Sequence, residues 1–451
     1  MVAHEALDVR LRPRDTGSTV PGWLTGLPIE SVRVLVAVYA VAAAAALVLL
    51  VPVPGVRARL RVWWPGAMLA AGVGALAASV VVVVVVDVDD LFGVPASPVI
   101  RAAAAAAGAG VGLAIANLVH TRWWRKVVAV LAIPLALAAG GLMINRDVAY
   151  FPKLGDVVGI TGVRALSVTG GAEARAALRG WRAPASMPST GTVGTVTIPG
   201  AESHWHARPA WIYLPPAAQT AHPPKLPVVI AFSGEPGGPS DVFLAGGLQA
   251  TLDGIARAHH GLAPVVVVPD QLGAFRANPM CVNSRLGNVQ DYVLDDVRGW
   301  VLQHLPVSSD RREWTVAGFS EGATCAVQFG SGFPAVFGSY LAISSEIGPI
   351  DGTRAHTVHV AFRGSTAAWK AAQPIAIMRR KAPYRQTFAL YSVGAADTRY
   401  GPVTPRLAAA SRAAGMRTET TVLPGVAHNW NTGSAGFAWG LPRLLPWWGI
   451  S

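Results

Sequence analysis

The chain has 451 residues, of which 52% are hydrophobic and only 14% charged. An ordinary soluble protein carries about 25% charged residues, so a wholly soluble chain is excluded and a membrane portion is expected. The formal net charge of +12 comes without a block of like charges or an RNA- or DNA-binding signature, which argues against nucleic-acid binding and suits a protein working beside anionic lipid.

Residues 1–31 read as an N-terminal tail. Four apolar stretches follow: Val32–Val51, Pro65–Val86, Pro98–Val119 and Val127–Ile144. Each approaches the roughly 20 residues that an α-helix needs to cross hydrocarbon. Fourfold recurrence predicts four transmembrane helices over residues 32–145 rather than buried helices of a soluble core. The first stretch is not a cleavable signal, because it starts late and three more spans follow it.

The loops between the spans set the expected orientation. Arg57, Arg59 and Arg61 lie in the first loop, Arg122, Arg125 and Lys126 in the third, and only Asp87, Asp89 and Asp90 in the second. Basic loops stay on the cytoplasmic side, so both ends of the region, and the chain after it, are expected to face away from the cytoplasm. Arg101, near the outer end of the third span, is a mild exception. Trp63, Trp64, Trp123 and Trp124 flank the basic loops, at the headgroup level that indoles favour. Gly108 and Gly112 form a small-xxx-small pair of the kind that lets helices pack closely.

Residues 146–194, rich in Gly, Ala, Ser and Arg, read as a linker or stalk. From Thr195 to Ser451 short β-rich runs alternate with helical stretches. The candidate strands are Ala210–Leu214, Val228–Phe232, Pro264–Pro269, Trp314–Ala317, Ser339–Ser344, Val358–Phe362, Thr387–Val393 and Thr418–Leu423. Apolar strands separated by helices predict a mostly parallel sheet with helices on both faces.

One of these strands runs into Gly318-Phe319-Ser320-Glu321-Gly322, and a helical pattern follows. Strand, G-x-S-x-G and helix make the context of a nucleophile elbow, in which side chains at either glycine would collide with the neighbouring strand and helix. Such a serine needs a base oriented by an acid, in the chain order Ser, acid, His. Of the histidines after Ser320, His356 lies just before and His359 within the candidate strand Val358–Phe362, and both read as structural; only His428 lies beyond the last strand. Asp397, just past the carboxyl end of Thr387–Val393, is the preferred acid, and Glu346 in "ISSEIG" is the alternative. The oxyanion hole would use the backbone N–H of Glu321 and one from the loop after Val228–Phe232, with Gly234 and Glu235 as the candidate donors.

Over residues 195–451 the chain resembles the esterase D family of α/β-hydrolases, which includes the actinobacterial mycolyltransferases. The resemblance rests on "RPAWIYLPP", "PVVIAFSGEPGG", "VAGFSEGATCA" and "PGVAHNW". It implies an α/β-hydrolase domain and a cofactor-independent serine esterase or acyltransferase. Ser233 stands where such enzymes often have His or Asp, and Glu321 where they often have Met. The four spans lie outside the resemblance.

Cys281, in a loop after Pro264–Pro269, and Cys325, one turn into the helix after Ser320, are the two cysteines. Neighbouring strands would bring that loop beside that helix, and outside the cytoplasm a disulfide between them is permitted; two buried thiols are the alternative. His204 and His206 alternate on one face, but no set of ligands completes a metal site, so neither metal nor cofactor is expected. Arg379, Arg380, Lys381 and Arg385 read as a solvated helix face, with binding of phosphate headgroups as the alternative. The expected protein is a multi-pass membrane protein with an extracytoplasmic serine esterase, its partners the bilayer and an ester of a lipid or cell-envelope component. Transfer of the acyl group to an envelope acceptor and a catalytically inactive scaffold are the alternatives.

Overall fold

The computed structural model describes residues 8–11, 20–51, 57–90, 93–119, 121–169, 178 and 180–450. The chain forms two compact units, residues 19–161 and residues 1–18 with 162–451. Parts of the expected tail, of the first and second loops and of the stalk (1–7, 12–19, 52–56, 91–92 and 170–177) lie outside the described residues.

The first unit holds four helices long and apolar enough to cross a membrane: α1 (Val32–Leu50), α2 (Arg57–Val82, continued by a π-helical turn, Val83–Val88), α3 (Pro98–Leu118) and α4 (Trp123–Val148). Their leucines and valines point outward in numbers that water would not tolerate, Leu69 at 70% and Leu131 at 64% exposure among them. The contact between α2 and α3 explains the glycine pair. A Cβ on Gly108 would sit 2.3 Å from the Gly74 carbonyl oxygen, and one on Gly112 would sit 2.0 Å from that of Ala70. Arg101 is matched by Asp87, 2.8 Å away. Arg125, expected in a loop, is instead buried in the first turn of α4. There it donates to the carbonyl oxygens of Leu49 and Val51 at the end of α1, each at 2.6 Å, and to Asn117 Oδ1 of α3. A cation thus caps carbonyls that the end of α1 leaves unsatisfied.

The second unit is built on a ten-stranded sheet: β1 (Asp8–Leu11), β2 (Arg164–Thr169), β3 (Thr192–Val196), β4 (Ala210–Leu214), β5 (Val228–Phe232), β6 (Val265–Val268), β7 (Trp314–Phe319), β8 (Ser339–Ile343), β9 (Phe388–Gly394) and β10 (Arg417–Leu423). The spatial order is β1-β2-β3-β4-β6-β5-β7-β8-β9-β10. From β6 to β10 all neighbours are parallel, and β4 joins them antiparallel. Strands β4 to β9 are buried at every residue, as strands covered on both faces must be.

Strand β8 shows how the layers form. Alternate side chains leave opposite faces of a strand. Tyr340 points to the helix α7 (Glu321–Gly332), where a Cβ on Gly330 would sit 2.3 Å from its ring. Leu341 and Ile343 point to the C-terminal helix α10 (Trp430–Trp448), against Gly440 and Gly436. Between these two come the helices α8 (Pro374–Lys381) and α9 (Val403–Ala413), and before them α5 (Leu248–Ala258) and α6 (Arg298–His304).

Three expectations change. Val358–Phe362 is not a strand: Arg354–Val360 is helical, with the Thr353 hydroxyl capping it by accepting from the His356 N–H. The place beside β8 is filled by β9, so no open edge remains for it. Within the stretch read as a stalk, β2 pairs with β3, and β1 of the tail pairs with β2. The sheet thus takes up residues on both sides of the spans. Lys381 donates to the Gly332 carbonyl at the end of α7, a cation at a helix C-terminus rather than a freely solvated one.

Candidate active site

The site begins at the junction of β7 and α7. Ser320 has φ +59° and ψ −122°, a conformation that L-residues rarely adopt. The neighbouring glycines make it possible. A Cβ on Gly318 would lie 2.3 Å from the Gly322 carbonyl, and one on Gly322 would lie 2.4 Å from the carbonyl oxygens of Phe232 and Ser233. Ser320 N–H donates to the Ile343 carbonyl at 2.9 Å, tying the turn to the next strand.

Two loops at the same edge of the sheet approach the serine. His428 follows β10, just before Asn429, whose side chain caps α10. Asp397 lies on the turn after β9. Ser320 Oγ is 2.8 Å from His428 Nε2, and His428 Nδ1 is 2.9 Å from Asp397 Oδ2. An ionised carboxylate only accepts, so Nδ1 carries the proton and Nε2 offers a lone pair to the serine hydroxyl. The imidazole is packed between Phe319 and Tyr400, with ring centroids 5.0 and 4.4 Å away. Burial pushes the Asp397 carboxyl up, but the bond and charge of His428 and the Tyr400 N–H, 2.9 Å from Oδ1, outweigh it and hold the group below its ordinary value.

Glu346, the alternative acid, stands elsewhere. It faces Thr324 of α7, whose hydroxyl lies 3.4 Å from Oε2 and accepts from the Glu346 N–H at 3.1 Å. Burial and the Glu235 carboxylate push its pKa up to about 8. Chain order alone does not separate two acids that both follow strands. The structure joins Asp397 to the histidine.

The Glu321 N–H sits at the start of α7, where helix N–H groups lack intrahelical partners. Gly234 adjoins the serine, since a Cβ on it would be 3.2 Å from Ser320 Cβ. Its loop is bolted from below. Arg208 pairs with Asp270 at 2.7 Å and donates to the Gly237 carbonyl. The Gln271 amide donates both to the Ser233 carbonyl, at 2.8 Å, and to Glu321 Oε2, at 3.1 Å. This brace between the glycine loop and α7 joins residues far apart in sequence; only the polar run "PDQ" after an apolar strand hints at it. Burial pushes the Glu321 carboxyl up to about 8, against the Gln271 bond and helped by the charges of Glu346 and Glu235.

Cys281 and Cys325 form a disulfide, and Gln328 of α7 donates to the Met280 carbonyl at 2.8 Å. The loop after β6 is thus clamped to the helix that starts at Ser320. Among the described residues, the single grouping of potential metal ligands is Cys281, Glu321 and Cys325, and both sulfurs are spent in the disulfide. Chemically, a hydroxyl hydrogen-bonded to an imidazole that a carboxylate orients can give up its proton on attacking a carbonyl carbon. Backbone N–H groups beside it can receive the negative charge that forms.

The family model described as "Putative esterase" matches residues 203–440, just over half of the chain. An uncharacterized protein of Corynebacterium glutamicum is 37% identical over 188 residues, which are 42% of this chain and 43% of that one, so the match spans less than half of that relative's length. Among solved structures, a ferulic acid esterase superposes with a TM-score of 0.50 at 16% identity, over 58% of this chain and 99% of its own. An S-formylglutathione hydrolase from Agrobacterium tumefaciens superposes with a TM-score of 0.49 at 19% identity, over 58% and 97%. At 16% identity the likeness to the ferulic acid esterase is one of fold. With an α/β-hydrolase sheet, a serine at its elbow and the family match across it, the chain belongs to the esterase family, its hydrolase domain preceded by four apolar helices.

Proposed function

We propose that the protein is a membrane-anchored serine esterase, facing away from the cytoplasm, that cleaves a carboxylic ester of a lipid or cell-envelope component. The observation that carries the reading is the chain of hydrogen bonds from Ser320 through His428 to Asp397 at a strained elbow. Ser320 Oγ attacks the ester carbonyl carbon while His428 Nε2 takes its proton. The tetrahedral oxyanion is held by the Glu321 N–H and by one from Gly234 or Glu235. As the intermediate collapses, His428 protonates the leaving alcohol and an acyl-enzyme remains. Water, deprotonated by His428, then releases the acid.

The orientation is supported by the basic first and third loops and by the disulfide, which persists in oxidising compartments. A hydrolase domain tethered by four spans meets esters at or near the membrane surface, which favours a lipid or envelope substrate. Kinship with the esterase D enzymes and mycolyltransferases rests on the quoted motifs. It favours a second reading, in which an acceptor alcohol replaces water, since both share the acyl-enzyme.

The test uses the full chain in detergent. A fluorophosphonate probe should label the native protein and not Ser320→Ala. Hydrolysis of p-nitrophenyl butyrate should fall by a factor on the order of 10³ or more in that variant. Undiminished turnover would remove Ser320 as nucleophile. Transacylated product on added acceptor alcohols would select the second reading.

A further inference from the structure

Two arginines and a histidine, used nowhere in the chemistry above, line one cavity. It measures about 390 Å³ and is bounded by Arg285, His359, Arg363 and Gly364. The three side chains come from two segments 74 or more residues apart in sequence: Arg285 from the tip of a small hairpin (Asn283–Ser284 and Gly287–Asn288), His359 from the helix Arg354–Val360, and Arg363 from the turn after it. No acidic side chain lines the cavity. Among the described residues neither guanidinium has an ion-pair or hydrogen-bond partner, whereas Arg101, Arg208 and Arg417 each hold a carboxylate.

Both segments are braced. The hairpin follows the Cys281–Cys325 disulfide by a few residues, rests on Trp205 (a Cβ on Gly287 would lie 2.2 Å from that ring) and is tied by Asn288 to the Ser203 carbonyl at 3.0 Å. The helix is capped by Thr353 and anchored by the Thr357 hydroxyl on the Asp351 carbonyl. Asn278 of the disulfide loop donates to the Ile350 carbonyl at 3.2 Å, joining the two. Arg285, His359 and Arg363 are exposed, so water and salt screen much of the repulsion between the two guanidinium groups, but an anion lying between them gains from both. A guanidinium fork matches the oxygens of a phosphate in geometry as well as charge, two of them line this cavity, and the imidazole adds a ring N–H donor. The hairpin and the helix follow the carboxyl ends of β6 and β8, the edge of the sheet at which Ser320 follows β7. The cavity is therefore formed by segments that leave the same edge of the sheet as Ser320 does.

We propose that this cavity binds a phosphate group, and that the ester cleaved at Ser320 is carried on a phosphate-bearing molecule. The second clause rests on the esterase reading; the first does not. Lipid headgroups and soluble phosphates offer the same chemistry, and the experiment separates them.

Binding of inorganic phosphate to the full-length protein in detergent is measured for the native chain, for Arg285→Gln/Arg363→Gln and for Arg285→Lys/Arg363→Lys. Thermal melts establish that each variant folds. The native chain should bind, the Gln pair should bind at least about tenfold more weakly, and the Lys pair should fall between them. Mixed micelles containing phosphatidylglycerol should compete with phosphate and those containing phosphatidylcholine should not, if the source is an anionic lipid. Phosphate binding that neither micelle disturbs assigns a soluble source and keeps the pocket. Equal binding by the native chain and the Gln pair, or none by the native chain, overturns the proposal. In parallel, p-nitrophenyl butyrate hydrolysis is compared between the native chain and Ser320→Ala. Arginine-dependent phosphate binding beside equal turnover in those two would leave the pocket standing and fell the esterase reading.

Discussion

Glu321→Gln isolates a titrating carboxyl that the fold buries next to Ser320. Glu321 is 4% exposed, its Oε1 lies 2.9 Å from Cys325 Sγ, and its pKa is raised from 4.5 to about 8, chiefly by burial. Between those values the folded protein keeps a proton that the unfolded chain has released. The native state binds more protons, so stability falls as pH rises through this window and levels off above about 8. The slope for one such group is about 1.4 kcal/mol per pH unit, so the step from pH 6 to pH 8 removes up to about 2.7 kcal/mol. For a domain of this size that is roughly 5–10 °C in melting temperature. Glu346, raised to about 8 as well, adds to the native slope. Gln has nearly the shape of Glu and keeps the amide bond from Gln271, but it carries no titrating proton. The assay is tryptophan-fluorescence melting of the full-length protein at pH 6, 7, 8 and 9. The variant should lose about half of the native decline and gain on the native protein as pH rises. Parallel curves across the whole range would refute the claim that Glu321 titrates inside the folded domain.

Asp397→Asn should cut p-nitrophenyl butyrate turnover by a factor on the order of 10³ to 10⁴, because it loses the carboxylate that selects the His428 tautomer, while Glu346→Gln should stay within about tenfold; the reverse ranking, read from steady-state rates, would move the acid to the loop after β8. Gly322→Ala places a Cβ 2.4 Å from two carbonyl oxygens and should lower the melting temperature together with activity, whereas Gly332→Ala on the same helix, with open space around it, should change neither. Orientation is read by labelling intact cells with an impermeant maleimide in a background lacking Cys281 and Cys325: a cysteine at the exposed Ala221 should react and one at Arg122 should not, and the opposite pattern would put the hydrolase domain in the cytoplasm.

The four spans are legible without coordinates, because a helix in hydrocarbon must be apolar along its whole length and that demand is written locally. The parallel strands are legible for a similar reason: burial on both faces leaves continuous apolar runs such as "VVIAF" and "VVVV". The elbow is legible because close backbone approach on both sides of Ser320 demands glycine at fixed spacing. What needed tertiary structure is whatever depends on neighbours distant in the chain. Asp397 and Glu346 follow strands equally well; β9 lies beside β10, whose loop brings His428 to Asp397, while Glu346 leaves β8 facing Thr324 of α7. Val358–Phe362 has a strand's composition and became helix because β9 occupies the edge of β8. The reach of Arg125 to the end of α1, the Gln271 brace and the cavity shared by Arg285 and Arg363 have no local pattern at all. Each joins segments that only the completed packing brings within hydrogen-bonding or electrostatic range.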